Sequence, residues 1–403
     1  MTYDLNIPPV LRFGAGSVDT IGELLAPMGS SRPLIVTDGF LVSSGVADRV
    51  ADALRASGME PAVFSETIPD PTTDSLQGGL AAVEAHGADS LVALGGGSPM
   101  DTAKALSALA LRGGRMRDLK APFRFVGPAL PVIAVPTTAG TGSEVTQFTI
   151  ITDSETNEKM LCAGPGYLAK AAVIDYELTL SMPARLTADT GIDALTHAIE
   201  GYVSRKANPI SDTFALAAIA RIGQYLRRAY ADGEDREARE QMMEAATLAG
   251  MAFTNSSVAL VHGMSRPIGA HFHIAHGMAN AMLFAEITAF SVGAAVERYA
   301  TCARTLGVAS ADDSDEVAAD ALVAELRSLA VELEVPSPAA RGIDRAEWDA
   351  LVPTMAQQAL ASGSPNNNPR VPDAAEVEAL YAAIYDPAAA PTPAAAATAT
   401  TAG

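Results

Sequence analysis

An α/β domain built on a parallel sheet, followed by an all-helical domain, is the fold class that three observations predict. First, residues 33–180 alternate short apolar runs with amphipathic stretches, as strands and covering helices do. Second, the texture changes after Pro183. Segments such as SDTFALAAIARIGQYLRRAY (211–230) and REQMMEAATLAGMAF (239–253) have helical periodicity and few strand signals. Third, 403 residues with 49% hydrophobic and 18% charged side chains are enough for two or three domains, each with its own core.

The clearest strands are PLIVTD (33–38), DSLVALGG (89–96), LPVIAVP (130–136) and FTIITD (148–153). Their β-branched, nearly continuous apolar character suits parallel strands buried on both faces. A boundary near 181–187 gives an α/β domain over 1–183 and an all-helical domain over 184–385. The ending DPAAAPTPAAAATATTAG, residues 386–403, is low-complexity and broken by proline, which predicts a disordered tail.

Charge and cysteine content narrow the function. With 27 basic against 47 acidic residues, the net charge of −20 lacks the basic footprint that nucleic acid or an anionic membrane requires. No run of about eighteen apolar residues predicts a membrane span, and the start MTYDLNIPPVLRFGAG lacks a secretory pattern. Cys162 and Cys302 read as free thiols of a reducing compartment, so a cytoplasmic protein is expected.

Two glycine-rich loops follow strands. GGGSPMDTAKA (95–105) opens a helix, and the pattern predicts Ser98 as N-cap, Pro99 in the first turn and Asp101 completing a capping box. Glycines before a helix N-terminus let backbone N–H groups approach an anion, which makes Gly95, Gly96, Gly97 and Ser98 a phosphate seat. A tight turn with a good cap is the competing reading. PTTAGTGSEVT (136–146) repeats the device with the hydroxyls of Thr137, Thr138, Thr141 and Ser143. Two such loops at neighbouring strand ends form the crevice in which open α/β sheets hold nucleotides. Asp38, ending the first strong strand, suits ribose hydroxyls and would repel a 2′-phosphate, favouring NAD. It precedes the glycines, whereas the usual fingerprint places this acid about twenty residues after them.

In TGIDALTHAIEGYV (190–203) Asp193 and His197 stand four apart, on one face of an otherwise apolar helix. Buried charge needs a partner, and a divalent metal would supply it. LVHGMSRPIGAHFHIAHGMANAML (260–283) then holds four of the six histidines. Two imidazoles from it would complete three nitrogens and one carboxylate around an ion, with room for a substrate oxygen. Spacing alone does not choose among His262, His271, His273 and His276.

With these motifs the chain resembles the iron-containing (group III) alcohol dehydrogenases, over roughly residues 5–385. The resemblance rests on P-x-x-LRFGAG, the two glycine loops, MPARLTADTGIDALTHAIEGYVS, the paired histidines and NNNPR (366–370). It implies that Asp193, His197, His262 and His276 ligate one divalent metal, Fe2+ or in some members Zn2+. It also implies that Asp38, the Gly95–Ser98 loop, Thr137 and Thr138 hold NAD, with Lys159 a further candidate; Asp101, in the cap of the first loop, is counted with the cofactor-binding residues. His271 and His273 are left to line the cleft or serve the structure.

The family typically reads H-A-x-x-H-P where this chain reads HGMSRP, with Arg266 in place of the second histidine. Arginine stays charged and cannot act as a base at neutral pH. A cofactor ribose hydroxyl, solvent or His271 is then left to carry the proton. Arg266 is expected either to meet an anionic group on the substrate or to pair with a nearby acid or a cofactor phosphate.

The parts predict an NAD-dependent alcohol dehydrogenase or aldehyde reductase. Its metal polarises the oxygen of a primary alcohol while hydride passes to nicotinamide. A homo-oligomer is expected from the resemblance. Alternatives are a hydroxyacid dehydrogenase or maleylacetate-type reductase of the same architecture, a dehydroquinate-synthase-like lyase, and a nucleotide-binding protein without catalysis.

Overall fold

The computed structural model describes residues 2–386, so all of the predicted tail except residue 386 lies outside the described residues. Six strands form one parallel sheet: β1 (Val10–Phe13), β2 (Pro33–Val36), β3 (Ala62–Phe64), β4 (Ser90–Gly95), β5 (Val132–Pro136) and β8 (Ala171–Ile174). Their order is β1-β8-β5-β4-β2-β3. Strands β2, β4 and β5 are buried at every position, as their unbroken apolar runs require. The flanking helices are α1 (Ile21–Leu25), α2 (Gly39–Ser43), α3 (Val46–Ala56), α4 (Leu76–His86) and α5 (Gly97–Arg112).

One expected sheet strand belongs elsewhere. Residues Phe148–Asp153 form β6, which pairs antiparallel with β7 (Glu158–Ala163) in a separate two-stranded sheet. Its inner and outer positions alternate in burial, the mark of a strand covered on one face only. Strands β1, β3 and β8 were not singled out in the sequence. They are three or four residues long, too short for a periodicity to declare itself.

From Ala184 onward the described chain is helical: α6 (Ala184–Val203), α7 (Pro209–Ala231), α8 (Arg236–Asn255), α9 (Leu260–Phe272), α10 (His276–Ser291), α11 (Val296–Leu306), α12 (Asp315–Glu332), α13 (Arg345–Ala361) and α14 (Ala374–Ile384). Helix α6 is buried continuously from Thr187 to Val203, with α7, α8 and α10 packed around it. Among its buried residues the ionisable ones are Asp189, Asp193, His197, Glu200 and Tyr202, and Asp189 is paired with Arg185 one turn earlier.

The helical part meets the sheet at the second glycine loop. Gly142 has φ +60°, and a Cβ placed there would lie 2.5 Å from the Gly250 Cα of α8. Nearby, Thr247 donates to the buried carboxylate of Glu144 (2.8 Å), and the Gln147 amide donates to the Thr254 carbonyl (3.1 Å). The stretch His276–Ala294 is long and apolar enough to cross a membrane, but half of it is buried inside this fold. It also carries site residues.

Candidate active site

The strand order explains the position of Asp38. From β2 the chain runs to β3 on one side, then crosses to β4 on the other side of β2. The carboxyl ends of β2 and β4 therefore flank the reversal point at which open sheets bind ligands. Asp38 follows β2 and Gly95–Ser98 begin at the last residue of β4, so both groups stand at the carboxyl ends of adjacent parallel strands although the acid comes first in sequence. Asp38 Oδ1 also accepts from the Leu41 amide (3.0 Å), capping α2, and its second oxygen is not used by that cap.

The predicted cap of α5 is corrected by the structure. Gly96, not Ser98, is the N-cap; no side chain caps the helix, and Ser98 and Asp101 lie within its first turns. Glycine brings no side-chain acceptor, so the first amides stay open to an anion, which favours the phosphate-seat reading. Gly95, at φ +144°, is required because a Cβ would lie 2.6 Å from Pro99 Cγ. The loops touch: a Cβ on Gly96 would sit 3.4 Å from Thr138 Oγ1. Thr138 is partly exposed toward this junction, whereas Thr137 is buried. Beneath them the buried Lys104 ammonium donates to the carbonyls of Ser143 (2.6 Å), Thr146 (3.0 Å) and Phe148 (2.9 Å). It ties the second loop to α5. Burial, opposed by Lys104, raises the pKa of Asp101 one turn away.

Four donor atoms converge on the helical side. One ligand atom from each of Asp193, His197, His262 and His276 lies within 4.8 Å of all the others. The i, i+4 spacing on α6 supplies the first pair. The tight turn 273–275, with His273 in the left-handed region (φ 53°), returns α10 so that its first residue, His276, faces His262. Asp193, His197 and His262 are buried; the His276 side chain is 41% exposed and forms the open side of the cluster. Desolvation pushes His197 down to about 4 and His262 well below its usual value. The imidazoles are thus neutral at neutral pH, as metal binding requires. The donor set of three nitrogens and one carboxylate fits a divalent ion such as Fe2+ or Zn2+. Phe253 covers the far side of His197, ring centroids 4.2 Å apart.

Two buried residues that sequence reasoning did not single out complete the centre. Glu200 accepts from the Ala259 and Val261 amides (2.9 and 2.6 Å) and from His262 Nδ1 (2.6 Å), which leaves His262 Nε2 facing the cluster. Asn280 places Nδ2 2.6 Å from Asp193 Oδ1, 3.1 Å from His262 Nε2 and 3.2 Å from His276 Nε2. The signal for both was helical spacing: Glu200 is seven residues after Asp193, and Asn280 four after His276.

The remaining candidates are distributed differently. Arg266 is on α9 one turn beyond His262, and its Nη1 donates to Ser364 Oγ (3.2 Å). His271 is nine residues beyond His262, about 13 Å along the helix, where Nε2 meets Gln358 Oε1 of α13 (2.9 Å). It is not brought into the cluster. Lys159, on β7, pairs with Asp70 (2.9 Å) and reaches toward α9, within 3.5 Å of a Cβ built on Gly269. NNNPR supports α9 from behind: Asn367 donates to Ser257 Oγ (2.8 Å) and to the Val258 carbonyl (3.1 Å).

A parallel sheet with a phosphate seat at its reversal point, joined to helices that gather a three-histidine, one-aspartate cluster, defines a nucleotide- and metal-dependent class of protein. Residues 8–176 match the iron-containing alcohol dehydrogenase family, and residues 187–385 match the Fe-containing alcohol dehydrogenase family, C-terminal region. The chain is 38% identical to the NAD-dependent methanol dehydrogenase of Bacillus methanolicus over 366 residues, 91% of this chain and 95% of the relative. It is 37% identical to the choline dehydrogenase of Bacillus subtilis (strain 168) over 373 residues, 91% of each. The solved structure of a 1,3-propanediol oxidoreductase superposes with a TM-score of 0.92 at 34% identity, covering 96% of this chain and all of that one. The chain belongs to the iron-containing alcohol dehydrogenase family. That membership, the NAD-dependent relative and the His/Asp cluster support NAD and Fe2+ as its cofactors.

Proposed function

We propose that the protein is an iron-dependent, NAD-dependent alcohol dehydrogenase working in either direction on small alcohols and aldehydes. The observation that carries this reading is the convergence of Asp193, His197, His262 and His276, with His276 open to the cleft. A divalent ion held there would supply Lewis acidity toward the substrate oxygen, and NAD the hydride acceptor. The chain's own groups do the rest. Asp38 offers a free carboxylate oxygen to the ribose, and the open amides of α5, with Thr138, offer donors to the pyrophosphate. Glu200 and Asn280 hold the ligand set in place, and Phe253 with the buried α6 excludes water behind it.

On this reading residues 1–183 serve the cofactor and residues 184–385 the metal. A cytoplasmic setting is supported by two buried, unpaired cysteines. The net charge of −20 speaks against nucleic acid as a partner. A homo-oligomer is supported by β1, which pairs with β8 on one side only among the described residues and exposes Val10 and Phe13.

The test is NADH oxidation by protein reconstituted anaerobically with Fe2+, across a panel of aldehydes, against a chelated control. Metal-dependent turnover is expected, and alanine at Asp193 or His262 should remove metal and activity together. Full turnover by either metal-free variant would overturn the reading.

A further inference from the structure

Arg266, one turn along α9 from a metal ligand, is left without a task by the reaction described above. It stands at i+4 from His262, so its side chain leaves the same face of α9 as the imidazole that points into the metal cluster. The guanidinium is partly buried, and among the described residues its side-chain hydrogen-bond partner is Ser364 Oγ, which takes one of its five donors. No ion pair joins it to a carboxylate among those residues. The surface arginines differ: Arg227, Arg228 and Arg327 are each paired with glutamate or aspartate. The acid whose charge it senses is Glu200, and both oxygens of Glu200 are engaged by two backbone amides and His262.

A withdrawn cation with unused donors is costly unless an anion completes it. The cofactor phosphates are a poor candidate. Their seat lies at the ends of β2 and β4 in the α/β part, whereas Arg266 stands on α9 one turn from His262 and bonds to Ser364. In a chain of net charge −20 an anion gains nothing from the overall field, so its attraction must be local.

Building on the dehydrogenase reading, we infer that the substrate is a short alcohol or aldehyde bearing a terminal carboxylate, which Arg266 binds while the reacting oxygen lies at the metal cluster. Side chains at i and i+4 are rooted roughly 5–6 Å apart, which suits a short carbon chain between the two groups. The planar fork of arginine matches a carboxylate with two parallel hydrogen bonds. The reaction is that of the parent reading: aldehyde, NADH and one proton from solvent give the hydroxy acid and NAD+. Arg266 neither gives nor takes the proton; it determines specificity.

The experiment compares butanal with 4-oxobutanoate, equal in chain length and differing at the far end, on the Fe2+-loaded protein and on Arg266→Gln and Arg266→Lys, with bound metal measured in each. The wild type should prefer 4-oxobutanoate in kcat/KM. Arg266→Gln should lower the ratio of anionic to neutral kcat/KM by about tenfold or more, chiefly through KM, and Arg266→Lys should restore part of it. Butanoate should inhibit butanal reduction competitively in the wild type and lose that inhibition in Arg266→Gln. A wild type with no preference for 4-oxobutanoate, or a ratio unchanged in Arg266→Gln, overturns the inference. If neither aldehyde is turned over, the dehydrogenase reading falls by itself. Calorimetric binding of butanoate to the wild type but not to Arg266→Gln then still decides the anion site.

Discussion

At the scale of single residues, the centre depends on a carboxylate that never faces the cluster. Glu200 accepts a hydrogen bond from His262 Nδ1–H, so Nε2 carries the lone pair that points inward, and it also accepts from the amides of Ala259 and Val261 at the start of α9. Burial raises its pKa to about 7, while its three donors favour the anion. Glu200→Gln keeps the size and loses the charge, so the His262 tautomer is no longer enforced. Metal affinity should fall by about 10–100-fold, measured by competition with a chromophoric chelator, with the fold retained by circular dichroism. The ligands themselves were legible because an Asp and a His at i, i+4 in an apolar helix demand a partner. Glu200 and Asn280 share the helical spacing of the ligands, but that spacing does not say which distant backbone amides or ligands they meet.

At the scale of elements, the glycine loops were readable as loops but not in detail. The capping pattern around Ser98 matches an ordinary helix start, yet the chain turns earlier, at Gly96, and leaves the first amides free. FTIITD has the composition of a sheet strand; its alternating burial, and its hairpin with β7, depend on a partner ten residues on that the run itself does not announce. The second loop offers a direct test. A methyl on Gly142 would require a left-handed backbone in alanine and would meet α8 at 2.5 Å. Gly142→Ala should therefore cost about 1–3 kcal/mol in stability, read as a lower Tm. NADH affinity should weaken as well, because Thr137 and Thr138 sit on the same loop.

For the whole molecule, the order of an α/β part and a helical part was clear from the change in periodicity near Pro183, and the six-stranded order was not. Strand order is a property of crossovers, and only the fold shows that β2 and β4 flank the reversal that unites Asp38 with Gly96. The buried histidines also give the molecule a pH signature. In the fold His197 is held neutral down to about 4, while in the unfolded chain it takes up a proton below its usual 6.5. Between those values the unfolded state binds more protons, so this contribution to the stability of the metal-free protein is lost as the pH falls from about 6.5 toward 4. Glu200 acts oppositely: with its pKa raised from 4.5 to about 7, its contribution declines as the pH rises through that range. The Tm of chelated wild type and His197→Gln, measured from pH 7 to pH 4, separates the two, and the variant should show the smaller loss toward acid pH.

The contact of Gly142 with Gly250 has a mechanical consequence. Backbone meets backbone there with no side chain between them to bend or change rotamer, and the bonds from Glu144 to Thr247 and from Gln147 to Thr254 lie beside it. That seam is a fulcrum rather than a gap. It ties the loop that carries Thr137 and Thr138 directly to α8, so a displacement of one is passed to the other rather than absorbed by a side chain.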